Sequence, residues 1–200
     1  MTALHSPRSW PKTLAGLLLL LSAIMFDGGG GIMGFIFGGP GLHSGIQAAN
    51  SDHTSMRLLK KVVPGADDFS DKEGEVPVYK AYRTDPSSGE QSLIGYAFVT
   101  PDVPPEPNGF SAPIDTLVGI DLEGKIVGLE VIYYKESLRY TIGDFFSWPG
   151  YQEQFVGMSA SDRFRVGEDV DGISRATISV KAMSRGVRQS IRAVTQAYIQ

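Results

Sequence analysis

Two hundred residues, 42% of them hydrophobic and 20% charged, are enough for one globular domain with its own core and do not suit a disordered chain. There are no cysteines, which excludes disulfides, thiolate nucleophiles, cysteine-ligated zinc and iron–sulfur clusters from this chain. A formal net charge of −4 gives no reason to expect nucleic acid or an acidic lipid surface as a partner.

The amino terminus carries Arg8 and Lys12, then a leucine-rich apolar block from Leu14 to Phe26, the pattern of an export signal. Asp27 and the glycines Gly28 to Gly31 interrupt the block, and Ile32 to Phe37 resumes it. The shorter block suits a signal, whereas Leu14 to Phe37 is long enough for an uncleaved membrane anchor. In both readings the basic flank stays in the cytoplasm and sends the rest outward. Residues 1–53 are thus expected to be a signal or anchor with a glycine-rich linker, and residues 54–200 the folded domain. His5, His43 and His53 all precede that domain, so no histidine-based catalytic or metal site is expected within it. Gly28 to Gly31 is not a phosphate loop, because it lacks the following Lys-Ser/Thr.

Met56 to Val63 reads as a short helix stopped by Pro64-Gly65. Tyr79 to Tyr82 and Leu93 to Thr100 read as strands, with a polar turn at Asp85 to Gly89 between them. A proline-rich connection follows, Pro101 to Pro113. Ile114 to Asp121 and Lys125 to Tyr133 alternate, are β-branched, and are joined by Leu122-Glu123-Gly124 as a hairpin. Asp115 and Asp121 lie near the ends of one strand and do not form a paired-carboxylate catalytic site. Leu138 through Phe155 reads as short helical or irregular chain, rich in aromatics: Tyr140, Phe145, Phe146 and Trp148, after Tyr133 and Tyr134. Most of these are expected in the core, and Tyr151 and Phe155 are expected to pack on the last helix.

From Ile178 onward, Val180, Met183, Val187, Ile191, Val194 and Tyr198 recur at spacings of three and four, one face of a helix. Arg185, Arg188 and Arg192 fall off that stripe, toward solvent or an anionic partner. Ser174 reads as its N-cap, with Asp171 adding negative charge just before it. Thr177 then lies in or beside the first turn, where unpaired N–H groups and the helix dipole favour an anion. Residues alone leave two readings: a phosphate site, or an ordinary capped helix on a sheet. The whole pattern predicts an α+β domain, a small antiparallel sheet with a packed C-terminal helix.

The stretch Asp171-Gly172-Ile173-Ser174-Arg175-Ala176-Thr177 resembles the Asp-x-x-Ser/Thr-Gly-Ala-Thr site of the FMN-binding domain family. There FMN is attached through its phosphate to the threonine hydroxyl. Gly109 to Asp121, Gly124 to Val131, Lys135-Glu136-Ser137 and Gln154-Phe155 with Gly157 resemble further family segments in the same order. Leu138 and Arg139 depart from the family's Pro-Gly, and Arg175 stands where glycine is usual. The resemblance implies FMN as cofactor, phosphoester-linked to Thr177, with Ala176 small beside it. It implies a separate flavin transferase that makes the bond, with Asp171 and Ser174 as recognition points or simply helix caps. Arg175 either contacts the phosphate or obstructs a left-handed backbone suited to glycine. Glu136 and Ser137 are expected near the flavin ring or ribityl chain, and Tyr140 and Trp148 as flanking aromatics.

Within the family the departures look most like the NosR/NirI branch. The expected function is therefore an extracytoplasmic, membrane-associated flavoprotein relaying electrons between membrane or periplasmic redox proteins. The alternative is a non-catalytic NosR-like regulatory or maturation factor for a periplasmic metalloenzyme. The expected location is the cell inner membrane, with the domain facing the periplasm. With neither cysteine nor domain histidine, redox chemistry here belongs to the organic cofactor.

Overall fold

The computed structural model describes residues 54–199. The expected signal or anchor segment lies outside these residues, and among them no helix is long and apolar enough to cross a membrane. Helix α1, Met56–Val62, starts at Ser55, whose side chain accepts the Leu58 N–H, and stops before Pro64. Five strands follow: β1 Asp68–Phe69, β2 Tyr79–Thr84, β3 Gln91–Val99, β4 Ile114–Asp121 and β5 Ile126–Tyr134. They form one antiparallel sheet in the order β1-β2-β3-β4-β5, each strand beside its sequence neighbours. A short helix α2, Arg139–Ile142, and two single 3-10 turns lead to α3, Thr177–Tyr198. The predicted α+β class, antiparallel sheet and packed C-terminal helix are all present. Strand β1 is an addition to the sequence reading, a two-residue element held by its partner.

Both faces of the sheet are covered, which explains why the inner strands read as apolar runs. On one face Leu59, Val62 and Val63 pack on Tyr79, Ala81, Ala97, Val99 and Leu117. On the other, Val180, Met183, Val187, Ile191 and Val194 of α3 pack on Phe98, Val118, Ile120, Ile126 and Leu129. Gly119 and Gly128 sit directly opposite each other on β4 and β5. A Cβ on either would stand 2.1 or 2.5 Å from the Val62 carbonyl oxygen. The missing side chains let the α1 backbone rest on the sheet itself.

The segment read as irregular is organised by its rings. Tyr134 meets Phe146 at 4.9 Å between centroids, Phe146 meets Phe145 at 4.7 Å and Tyr151 at 5.6 Å. Tyr151 then meets Phe155, and Phe155 stacks near Phe164. These rings join the cluster under α3, where Tyr151 and Phe155 were expected. Backbone bonds beyond the strand ladders add to β2 and β5. Along β2 the Asp67 and Ser70 N–H groups bond Tyr82 and Lys80 carbonyls, and Glu73 and Val78 exchange both bonds. Along β5 the Val131 N–H is taken by the side-chain oxygen of Gln152 at 2.9 Å, while Gln152 Nε2 donates to the Phe146 carbonyl. The Ile126 N–H goes to the Met158 carbonyl, and the Ile126 carbonyl accepts from Gly157.

Candidate functional site

The chain enters α3 through a tight turn. The Ala176 N–H donates to the Ile173 carbonyl at 3.0 Å, and Arg175 has φ +70°. That is the third position of a turn, where type II geometry requires a left-handed residue and ordinarily selects glycine. Ile173 and Ala176 are buried and pin the turn from both sides, leaving Ser174 and Arg175 exposed between them. Ser174 is consequently not the cap. The helix begins at Thr177, its N-cap is Ala176, and no side chain bonds the cap position. The expectation fails because the positive φ at Arg175 interrupts any helix running on from Ser174. Upstream, the Asp171 N–H donates to Gln154 Oε1 at 2.6 Å, which ties the approach to the second 3-10 turn.

The first helical bond of α3 is from Val180 N–H to the Ala176 carbonyl. The N–H groups of Thr177, Ile178 and Ser179 therefore precede the helical ladder. No acidic residue lies in the first turn, so the positive end of the dipole of a 22-residue helix is not offset locally. These groups open into a cleft of about 500 Å³ lined by Phe110, Glu136, Leu138, Arg175, Thr177 and Ile178, with Ser137 and Ala176 beside them. Phe110 and Ile178 are 66% and 54% exposed and give the cleft apolar surface.

Glu136 is only 2% exposed, and its Oε1 accepts the Ser111 N–H at 3.2 Å. It holds the Gly109–Ser111 loop over the cleft. A Cβ on Gly109 would come within 2.3 Å of the same oxygen. At the base of this loop the Thr100 hydroxyl bonds Glu106. Burial, with the nearby charge of Asp115, pushes the Glu106 carboxyl up to about 7.

Of the sequence-predicted site residues, Thr177, Ala176, Arg175, Glu136 and Ser137 come together in this cleft. Ser174 and Asp171 lie on its approach and do not line it. Tyr140 is 85% exposed and faces a neighbouring depression with Arg139 and Asp144. Trp148 lines a separate cleft with Lys61 and Val127. Sequence reasoning missed Phe110, Leu138 and Ile178. Ile178 carried a signal, since it is a large apolar residue at the start of the helix that falls off its buried stripe.

An α+β domain whose long helix opens, with no side-chain cap, into a cleft with apolar walls has a geometry that suits a phosphate attached to a flat ring. The FMN-binding domain family matches over residues 109–192 of this chain. FMN is its cofactor. Over 119 residues the chain is 29% identical to the G subunit of the ion-translocating oxidoreductase complex of Vibrio atlanticus (strain LGP32), covering 54% of this chain and 53% of that protein. It is 27% identical over 147 residues to the G subunit of the proton-translocating ferredoxin:NAD(+) oxidoreductase complex of Clostridium ljungdahlii, covering 70% of each. The Vibrio parahaemolyticus counterpart of the first relative is 28% identical over 134 residues, 61% of this chain and 56% of its own. The chain thus spans about half the length of the Vibrio relatives. All three relatives are subunits of ion- or proton-translocating oxidoreductase complexes, and they lend no support to the expected NosR/NirI branch.

The residues present fit FMN. The free first-turn N–H groups and the Arg175 guanidinium suit a phosphate, and Phe110, Leu138 and Ile178 offer apolar surface to an isoalloxazine. Arg175→Gly is expected to relieve the left-handed strain and raise stability by about 1 kcal/mol, a few degrees in Tm. FMN attachment should remain largely intact. Thermal melts and intact mass read the two effects separately. A sharp loss of attachment would make Arg175 a recognition element and not a tolerated substitution.

Proposed function

We propose that this protein is an FMN-carrying electron relay, in which the flavin phosphate is esterified to the Thr177 hydroxyl. The observation that carries the proposal is the position of Thr177, exposed in the first turn of α3 and opening into a cleft shared with Arg175 and apolar side chains. FMN supplies reversible uptake and release of electrons. The chain's own residues hold and shield it. The Thr177 oxygen tethers, the first-turn N–H groups and Arg175 neutralise phosphate charge, and Phe110 and Ile178 cover ring surface. Buried Glu136 fixes the loop that carries Phe110.

The names of the relatives support redox proteins of a membrane complex as electron donor and acceptor. The basic flank and apolar block at the amino terminus support a membrane-associated domain outside the cytoplasm. A covalent tether has a physical purpose there, since FMN lost outside the cell interior is hard to replace. A flavin transferase is the proposed source of the bond. Produced together with such a transferase, the full chain should be yellow and should keep flavin fluorescence in a denaturing gel. Flavin that leaves on denaturation would remove the ester and leave a bound carrier. A colourless protein would overturn the function.

A further inference from the structure

A line of cations runs down α3 from the flavin end of the domain. Lys181, Arg185, Arg188 and Arg192 follow Thr177 at spacings of four, four, three and four. At 100° per residue all five side chains fall within about 80° of helix surface. Lys181 lies about 6 Å and Arg192 about 22 Å along the axis from Thr177 at the usual helical rise. The centre of this face lies about 120° around the helix from that of the buried stripe Val180, Met183, Val187, Ile191 and Val194.

Among the described residues none of these four cations makes an ion pair. Their polar contacts are with backbone carbonyls, which orient the side chains without cancelling charge. Arg185 Nε donates to Lys181 O, Arg188 to Arg163 O, and Arg192 to Ala160 O and Asp162 O. The carboxylates nearby are engaged elsewhere. Glu168 pairs with Arg163 and Arg165. Asp169 accepts the backbone N–H groups of Arg163, Phe164 and Arg165, and Asp162 accepts from Ser159. In a chain with formal charge −4, this face gathers four cations along one helix. It borders a shallow depression of about 370 Å³ floored by Phe164 and Val166.

Resting on the electron-relay reading, we infer that this ladder is the docking surface for a carboxylate-rich face of a redox protein, set so that the partner lands beside the flavin. A like-signed stripe steers an acidic protein by long-range attraction that depends on the charges and not on which cationic side chain bears them. A lipid surface fits less well, because surface-bound helices push large apolar residues into the headgroups and none is exposed along the ladder below Ile178.

The test uses the full chain carrying FMN, a plant-type ferredoxin chosen for its acidic surface as reduced probe, and, as an uncharged reductant, deazariboflavin photoreduced by a sacrificial amine that is oxidised in the light. Two reduced ferredoxins are oxidised by one electron each as one FMN gains two electrons, with protons from solvent. The wild-type rate with ferredoxin should fall steeply with salt. The triple variant Lys181→Gln, Arg185→Gln, Arg188→Gln should be slower by about tenfold or more at low salt and nearly salt-independent. The charge-keeping variant Lys181→Arg, Arg185→Lys, Arg188→Lys should restore the wild-type rate. All three should be reduced equally by deazariboflavin. Equal ferredoxin rates in wild type and the Gln variant would overturn the docking surface, as would loss without rescue by the charge-keeping variant. Charge-dependent sedimentation with phosphatidylglycerol vesicles alongside unchanged ferredoxin rates would assign the ladder to lipid and overturn it as well. Calorimetric titration of oxidised ferredoxin into the same proteins reads docking independently of electron flow. Salt-sensitive binding without any flavin reduction would therefore sink the relay and keep the surface.

Discussion

Thr177→Val is expected to abolish covalent flavin while leaving the fold intact. The side chain is exposed at the first position of α3, makes no capping bond and packs into nothing, so its exchange should change stability by only about 0.5 kcal/mol. Valine keeps the branched shape and lacks the hydroxyl that the ester needs. Wild-type protein produced with a flavin transferase should be heavier than the unmodified chain by roughly 440 Da, the mass of FMN less water. The variant should show the unmodified mass and an unchanged circular dichroism melt. Thr177→Ser should regain the added mass. Covalent flavin on the valine variant would place the attachment elsewhere in the chain.

The largest loss of stability is expected from Phe146→Ala. Phe146 is fully buried and touches the rings of Tyr134, Phe145 and Tyr151. Removing it opens a cavity between the aromatic segment and α3, at a cost of about 3–5 kcal/mol. Its carbonyl also receives Gln152, whose side-chain oxygen holds the β5 edge. Movement there should loosen the strand as well. The expected fall in Tm is on the order of 10 °C or more, read by calorimetry. A fall of only a few degrees would mean that the neighbouring rings collapse into the space.

The elements that could be read from the chain are those whose pattern is local. The β4–β5 hairpin follows from β-branched alternation around Leu122-Glu123-Gly124, and Gly124 does take a positive φ of 77°. The last helix follows from its stripe, and its observed N-cap, Ala176, lies two residues beyond the expected Ser174. What could not be read depends on partners distant in sequence. Strand β1 is two residues of a charged segment, and only β2 makes it a strand. The cap at Ser174 was a sound local choice that a single left-handed residue overrides. The cleft was half legible. Thr177, Arg175 and Ala176 came from one motif, and Glu136 and Ser137 from another. Tyr140 and Trp148 belong to one aromatic-rich stretch of sequence, yet they line separate depressions. Phe110 reaches the cleft only because a buried carboxylate pins its loop.

The partly covered flanks of the sheet bear on how this domain can join a larger assembly. A strand from another protein needs a free row of N–H and C=O groups to add to, and here the outer row of β2 is already paired and that of β5 is interrupted at Ile126 and Val131. One side is occupied by a segment bearing Asp67, Asp68, Asp71, Lys72 and Glu73, and the other by Gln152 and the Gly157–Met158 backbone. Contact with neighbours is left to side chains on the outer surfaces, which can be parted without breaking a backbone ladder. On the proposed relay reading, such reversible contacts permit exchange between a donor and an acceptor, and the interrupted edges reduce edge-to-edge sticking of newly made copies.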